Sequence, residues 1–348
     1  MQVLVSGHHG YIGAVLVPAL LADGHDVVGM DSNLFAGSVF PTPAPAVDVP
    51  VIRGDIRDAR PADFAGIDVV IHLAALSNDP LGDLDPALTR EINFDASQRL
   101  AELAKAAGVR RFLFSSSCST YGAAGDRPLD ESASFNPLTA YAREKVRLEA
   151  TLAELADDVF SPVFLRNATA YGLSPRLRLD IVLNNLVAWA VTTRSVRLLS
   201  DGTPWRPIVH VEDIASAFVA AVRAPREVVH GEAFNVGRSE HNYRILELAE
   251  IVADVVPDAT LEIAADAGPD PRSYRVDFSK IERALPAWRP QWDARRSATR
   301  MAEAFRRFGL TAEDLDGPRF IRLRQLQTHL TQGRLRPDLR WATAPART

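Results

Sequence analysis

The chain has 348 residues, 47% of them apolar, enough for one large domain or two lobes sharing a cleft. Its formal net charge of −5 argues against nucleic acid as the main partner, since phosphate backbones want a basic field. The single cysteine, Cys118, excludes an internal disulfide and a cysteine zinc cage; without a leader-like start or an apolar run of roughly 18 residues, the expectation is a soluble cytoplasmic protein.

The first half alternates. "QVLVS" reads as a strand and 11–23 as a helix closed by Gly24. "DVVGMD", "PVIRGD" and "IDVVIHLAA" read as three further strands, with a proline-rich surface loop over 41–50. A long helix over about 86–107, the strand "RRFLFSSS", a helix over about 138–156 and a sixth strand, "SPVFLRNA", follow. Short apolar runs alternating with amphipathic helices predict an α/β fold, a doubly wound parallel sheet of Rossmann type spanning 1–165. After Arg166 the rhythm changes. Helices over 181–193, 213–224, 244–255, 279–285 and 294–308 mix with the strands "VRLL", "IVHV", "EAFNV" and "TLEIAA". The pattern predicts a smaller mixed α/β substrate lobe from 166–204 and 237–300, with the sheet rejoined by about 205–236. Residues 301–348 read as a helical, arginine-rich extension with a disordered end.

Three glycines punctuate "LVSGHHGYIG" between the first strand and its helix. Gly7 suits a sharp turn, Gly10 lets backbone approach a pyrophosphate, and Gly13 lets the helix pack close to the sheet. Helix N–H groups beyond them, near Tyr11 and Ile12, favour an anion. Asp31 ends the second strand at the spacing expected for a ribose-binding acid; it would repel the extra phosphate of NADP, so NAD is the expected cofactor. Asp55 ends the third strand, placed for an adenine amino group with Ile56 beside the ring, or equally for capping a helix.

"AYAREK" puts Tyr141 and Lys145 four apart on one helix face, where an ammonium would lower the phenol's pKa toward neutrality. Such a tyrosine can exchange a proton with a sugar hydroxyl or carbonyl. Ser117 ends the fifth strand, where open parallel sheets place their ligands, and could bind the same oxygen. His8, His9, His72 and His210 have no metal-ligand spacing and read as loop or core residues.

Taken with "HLAALS", "EINFDAS", "SSSCSTYG", "LRNATAYG", "DGTPWRPIVHVEDIA" and "PDPRSYRVDFSKI", these pieces make the chain resemble the extended short-chain dehydrogenase/reductases, specifically the NAD-dependent nucleotide-sugar epimerases and dehydratases, over 1 to about 300. The resemblance implies a catalytic Ser117, Tyr141 and Lys145. It places Leu73, Ala74, Ala75 and Ser77 along the nicotinamide diphosphate side, and Asn93 at the active-site end of its helix. It assigns Arg206 and Arg272 to the substrate diphosphate, chemically apt since guanidinium forks match phosphate oxygens, with Asn185 nearby. It also implies a homodimer through a four-helix bundle of the 86–107 and 138–156 helices, whose apolar positions include Ile92, Ala96, Leu100, Leu103, Val146, Leu148 and Leu152.

The departures are informative. Sugar 4,6-dehydratases follow the catalytic hydroxyl with Asp-Glu, and decarboxylating relatives carry Glu at the second of those positions; this chain has Cys118 and Ser119 there, so elimination is disfavoured, both are expected along the substrate, and Cys118 reads as a small buried residue rather than a nucleophile. Thr169 stands where relatives usually have Asn, with Asn167 a possible substitute. The expected activity is epimerisation of a nucleoside-diphosphate sugar at C4. The alternatives are an NAD(P)H-dependent 4-ketoreductase of a nucleoside-diphosphate deoxysugar and a non-catalytic NAD-binding regulator.

Overall fold

The computed structural model describes the chain apart from residues 43–46, 78, 83, 126, 269–271 and 344–348 and the side chains at 199 and 264–268. Part of the proline-rich loop, the first three residues of "PDPR" and the chain's end therefore lie outside the described residues.

Strand β1 (Gln2–Ser6) leads through the glycine loop into helix α1 (Gly13–Ala22), followed by β2 (Asp26–Asp31), β3 (Val51–Arg53) and β4 (Val69–His72). Next come α2 (Asp79–Gly82), α3 (Pro86–Arg90), α4 (Ala96–Ala106), β5 (Arg111–Ser117), α5 (Ala140–Glu154) and β6 (Ser161–Asn167). The remainder runs β7 (Thr169–Tyr171), α6 (Val182–Thr193), β8 (Ser195–Ser200), β9 (Trp205–His210), α7 (Val211–Arg223), α8 (Arg226–Val229) and β10 (Ala233–Val236). It continues with β11 (Asn242–Arg244), α9 (Ile245–Val255), β12 (Thr260–Gly268), α10 (Ser279–Ala284), α11 (Ala294–Phe308), α12 (Ala312–Asp316) and α13 (Arg322–Thr331).

The large sheet has seven strands in the order β10-β6-β5-β4-β1-β2-β3, all parallel. Chain direction across the sheet reverses between β1 and β4, and a doubly wound sheet opens its ligand crevice at such a point, beyond the strands' carboxyl ends. Strands buried on both faces need near-continuous apolar runs, which "VLV" and "FLF" supply. One face packs under α1 and α7 around Leu16, Ile214 and Phe218. The other packs under α4 and α5 around Leu100, Phe112 and Leu148. A third core, centred on α6, α9 and α11, fills the smaller lobe.

Two elements differ from expectation. Of the stretch 205–236 only β10 joins the large sheet; β9 lies in a three-stranded sheet, β11-β9-β7, which also carries Trp205 and Arg206. The helix expected over 86–107 is interrupted by a π turn at Glu91–Asp95. That turn carries Asn93 inward, where its amide accepts from Leu76 N (2.8 Å) and donates to Leu76 O (3.0 Å). A buried amide needs such partners, and an extra residue in the turn is how the helix reaches them.

Candidate active site

The cleft along the carboxyl ends of the large sheet has a volume of about 910 Å³. At one end lies the glycine loop. Gly7 has φ +77°, and a Cβ there would stand 2.8 Å from Ala74 N. A Cβ on Gly13 would meet Gly7 O and come within 2.6 Å of His8 Cα. Both positions exclude any side chain, and the backbone they expose opens on the cleft, with Gly10, Tyr11 and Ile12 beside them. The Tyr11 hydroxyl is spent on Gly172 O (2.6 Å), tying the loop to the residue that follows β7.

Asp31 lines the same end. One carboxylate oxygen accepts from Asn33 N (2.7 Å) and the other from His9 N (3.0 Å), which fixes its orientation while leaving lone pairs for ribose hydroxyls. Asp55 and Ile56 also line the cleft. Asp55 caps the short turn Ile56–Asp58 by accepting from Arg57 N (2.9 Å), and Arg57 Nη2 pairs with it at 2.7 Å. The capping role and the cleft-lining position thus coexist. Burial pushes its carboxyl up, but hydrogen bonds from Arg57 outweigh that and hold it below the ordinary value. An NAD molecule suits this end: close backbone approach, a helix N-terminus and an oriented carboxylate are what its pyrophosphate and ribose require.

The other half of the cleft gathers Ser117, Tyr141 and Lys145 with Leu73, Ala74, Ala75 and Ser77. Thr139 caps α5 by accepting from Ala142 N (3.2 Å), starting the helix so that Tyr141 and Lys145 share its inner face. Ser117 Oγ accepts from Ser119 N (3.1 Å) and hydrogen-bonds the Tyr141 hydroxyl, so the two oxygens meet at one point of the cleft. Lys145 is buried, donates to Ser115 O (2.7 Å) and sits 4.4 Å from the Phe114 ring centroid and 5.6 Å from that of Tyr141. Burial drives its pKa down to about 7, against an upward pull from Glu149. Burial likewise pushes the Tyr141 phenol up to about 12, opposed by a hydrogen bond with Ser117. The expected acidified phenol is therefore not a property of the chain alone, because desolvation exceeds the help from its neighbours. The other lysines are surface partners, Lys105 of Asp157 and Lys280 of Glu232, each at 2.7 Å.

On the substrate side, Ser119, Asn167, Thr169, Asn185, Arg206 and Arg272 all line the cleft. Ser119 Oγ and Asn167 Oδ1 are buried with no partner among the described residues, and a sugar's hydroxyls could satisfy both. Asn185 donates to Leu179 O (2.9 Å). Arg206 reaches the backbone of Trp205 and Arg272, whereas the Arg272 guanidinium turns to Asp79 (2.7 Å). Two expected residues do not face the cleft. Cys118 points into the core, its Sγ 3.1 Å from Arg166 O, and burial raises its thiol well above the ordinary range. Asn93 acts on the cleft only through the backbone of Leu76. His72 is buried between Ser6 Oγ (2.7 Å) and Ser97 Oγ (2.8 Å), and among the described residues no three His, Cys, Asp or Glu side chains gather as metal ligands would.

Several cleft residues were not singled out from the sequence. Arg178 lies buried against Asp180 (2.9 Å) and Ser77 Oγ (3.1 Å), and Asp79 bridges Arg272 to Thr139 Oγ1 (2.7 Å). Behind β5, Glu149 accepts from Ser116 Oγ and pairs with Arg166 (2.7 Å). Its spacing, four residues past Lys145, was the available signal.

The description of the NAD dependent epimerase/dehydratase family matches residues 3–237. UDP-glucose 4-epimerase of Mycolicibacterium smegmatis is 32% identical over 319 residues, covering 88% of this chain and 99% of its own. UDP-glucuronic acid decarboxylase 1 of Arabidopsis thaliana is 28% identical, covering 88% of this chain and 70% of that protein. Among solved structures, MoeE5 in complex with UDP-glucuronic acid and NAD superposes with a TM-score of 0.76 at 27% identity, over 88% of this chain and 99% of that one. Fold, cleft and these likenesses agree: the chain belongs to the NAD dependent epimerase/dehydratase family of enzymes.

Proposed function

We propose that this enzyme epimerises a nucleoside-diphosphate sugar at C4, with Ser117, Tyr141 and Lys145 as its catalytic residues. The observation that carries the reading is Ser117 and Tyr141 on one cleft with buried Lys145, and no acid following Ser117. NAD, when bound, would supply the hydride acceptor and donor. Tyr141 takes the proton of the C4 hydroxyl and returns it after the sugar has turned over. Ser117 donates to the same oxygen, and Lys145 favours the phenolate and has further N–H groups for cofactor hydroxyls.

Turning the keto sugar requires that it be anchored away from the reacting carbon. Arg206 and Arg272 at the cleft wall suit the diphosphate for that purpose. Elimination would need a free acid at the sugar. The carboxylates lining the cleft, among the described residues, are Asp31 and Asp55 at the adenosine end and Asp79 and Asp180, both paired with arginines.

The test is turnover of UDP-glucose, UDP-galactose and UDP-glucuronic acid by purified enzyme. Interconversion of C4 epimers without net change in absorbance at 340 nm is expected, and Tyr141→Phe should slow it by about 10²- to 10⁴-fold while NAD stays bound. Stoichiometric consumption of reduced cofactor by a 4-keto sugar would instead mark a reductase.

We further propose a homodimer through the outer faces of α4 and α5. Ile92, Ala96, Leu100, Leu148 and Leu152 are consumed by the internal core, so the apolar contribution to such an interface comes from half-buried Phe94, Leu103 and Val146.

A further inference from the structure

The segment after α11 does more than close the smaller lobe. Phe320 is in that lobe's core, and its carbonyl accepts from Leu179 N (3.0 Å). From there the chain crosses to the dinucleotide-binding half, where Leu326, Leu335 and Leu339 are buried in the same core as Met30 and Ile56. Its end meets the two loops that carry the adenosine-side acids. Trp341 Nε1 donates to Ser32 O (2.6 Å), next to Asp31. Arg57, the partner of Asp55, donates to Asp338 O (2.9 Å), and Arg340 pairs with Asp58.

We infer that the segment from Arg322 to Trp341 is the outer wall of the adenosine half of the NAD site, and that the cofactor leaves only when this wall lifts. Arg322 is the part that reaches the cleft itself. It is buried, lies 4.3 Å from the Phe35 ring, and donates to Ser38 Oγ (2.6 Å) and Arg176 O (3.2 Å). No carboxylate pairs with it among the described residues. Burial, then the Arg178 charge, lowers its pKa to about 9, against the upward pull of Asp180 and Asp31. A dinucleotide phosphate is the anion that would neutralise it. Ser38 also donates to Gln325 (2.7 Å), so the loop after Asp31 is tied to the segment at both ends, Ser32 and Ser38. The wall concerns cofactor retention, not the sugar reaction, and stands or falls separately from the proposed epimerisation.

The test uses the full chain loaded with NADH, whose release is followed by its fluorescence after mixing with excess NAD. Arg340→Ala/Trp341→Ala should release NADH at least tenfold faster than the parent, while Arg340→Lys, which keeps a cation for Asp58, should stay near the parent rate. In the parent, adding NAD should slow backbone hydrogen exchange across 335–341. An unchanged release rate in the folded double variant overturns the inference. If that variant does not fold, absence of NAD protection over 335–341 in the parent overturns it instead.

Discussion

Lys145 is held in the folded protein at a cost. An ammonium ordinarily titrating near 10.5 is buried until its pKa is about 7. Between those values the unfolded chain binds a proton that the folded chain does not, so folding stability rises with pH across that window. Below about pH 7 both states are protonated and the full penalty, on the order of a few kcal/mol, is present. Lys145→Met should therefore raise the melting temperature of the NAD-free protein at pH 6, and the advantage over the parent should shrink toward pH 10, while catalysis is lost. A second residue-scale expectation concerns Asp31. Asp31→Asn keeps an acceptor but removes the charge, and should shift the ratio of NAD to NADP affinity toward NADP by roughly tenfold or more, read by calorimetric titration of each cofactor. The residues carrying these arguments were legible in the sequence because motif spacing names them. Their protonation was not, since desolvation depends on what the rest of the chain packs around Lys145 and Tyr141. Cys118 shows the same limit: its place beside Ser117 says nothing of which way the strand end turns its side chain.

Among the elements, the glycine loop is the most exacting. Gly13→Ala would drive a methyl group into Gly7 O and His8 Cα. The expected cost is about 1–3 kcal/mol in urea denaturation, with loss of co-purifying NAD. The helices and strands of the first half were readable from apolar periodicity, and α11 was expected over the range it occupies. The π turn at Glu91–Asp95 was not, because its cause is a distant backbone: Leu76 lies 17 positions before the Asn93 that binds it. Nor was the sheet joined by β9 readable, since "IVHV" is equally suited to any buried strand and its partners β7 and β11 are set by tertiary packing.

For the whole molecule, the doubly wound order followed from the alternation of elements, while the path of the extension did not. Apolar residues such as Leu326 and Leu335 announce that the segment is covered by something, not by what. The structure shows that it packs on the dinucleotide-binding half. The proposed dimer belongs at this scale too. Val146→Glu, on the outer side of α5, should convert a dimer to a monomer in sedimentation experiments without disturbing the fold, because Val146 is only half-buried in the single chain. A parent chain that sediments as a monomer would sink that assembly.

The union of Met30 and Ile56 with Leu326, Leu335 and Leu339 has a bearing on biosynthesis. The first strands leave the ribosome long before the leucines that cover them. Until residues 326–339 have been made, the growing polypeptide carries an uncovered oily face, and covering it is a late, long-range event. Premature termination shortly before residue 326 would thus yield a product prone to clumping, although every strand of the main sheet had already been made.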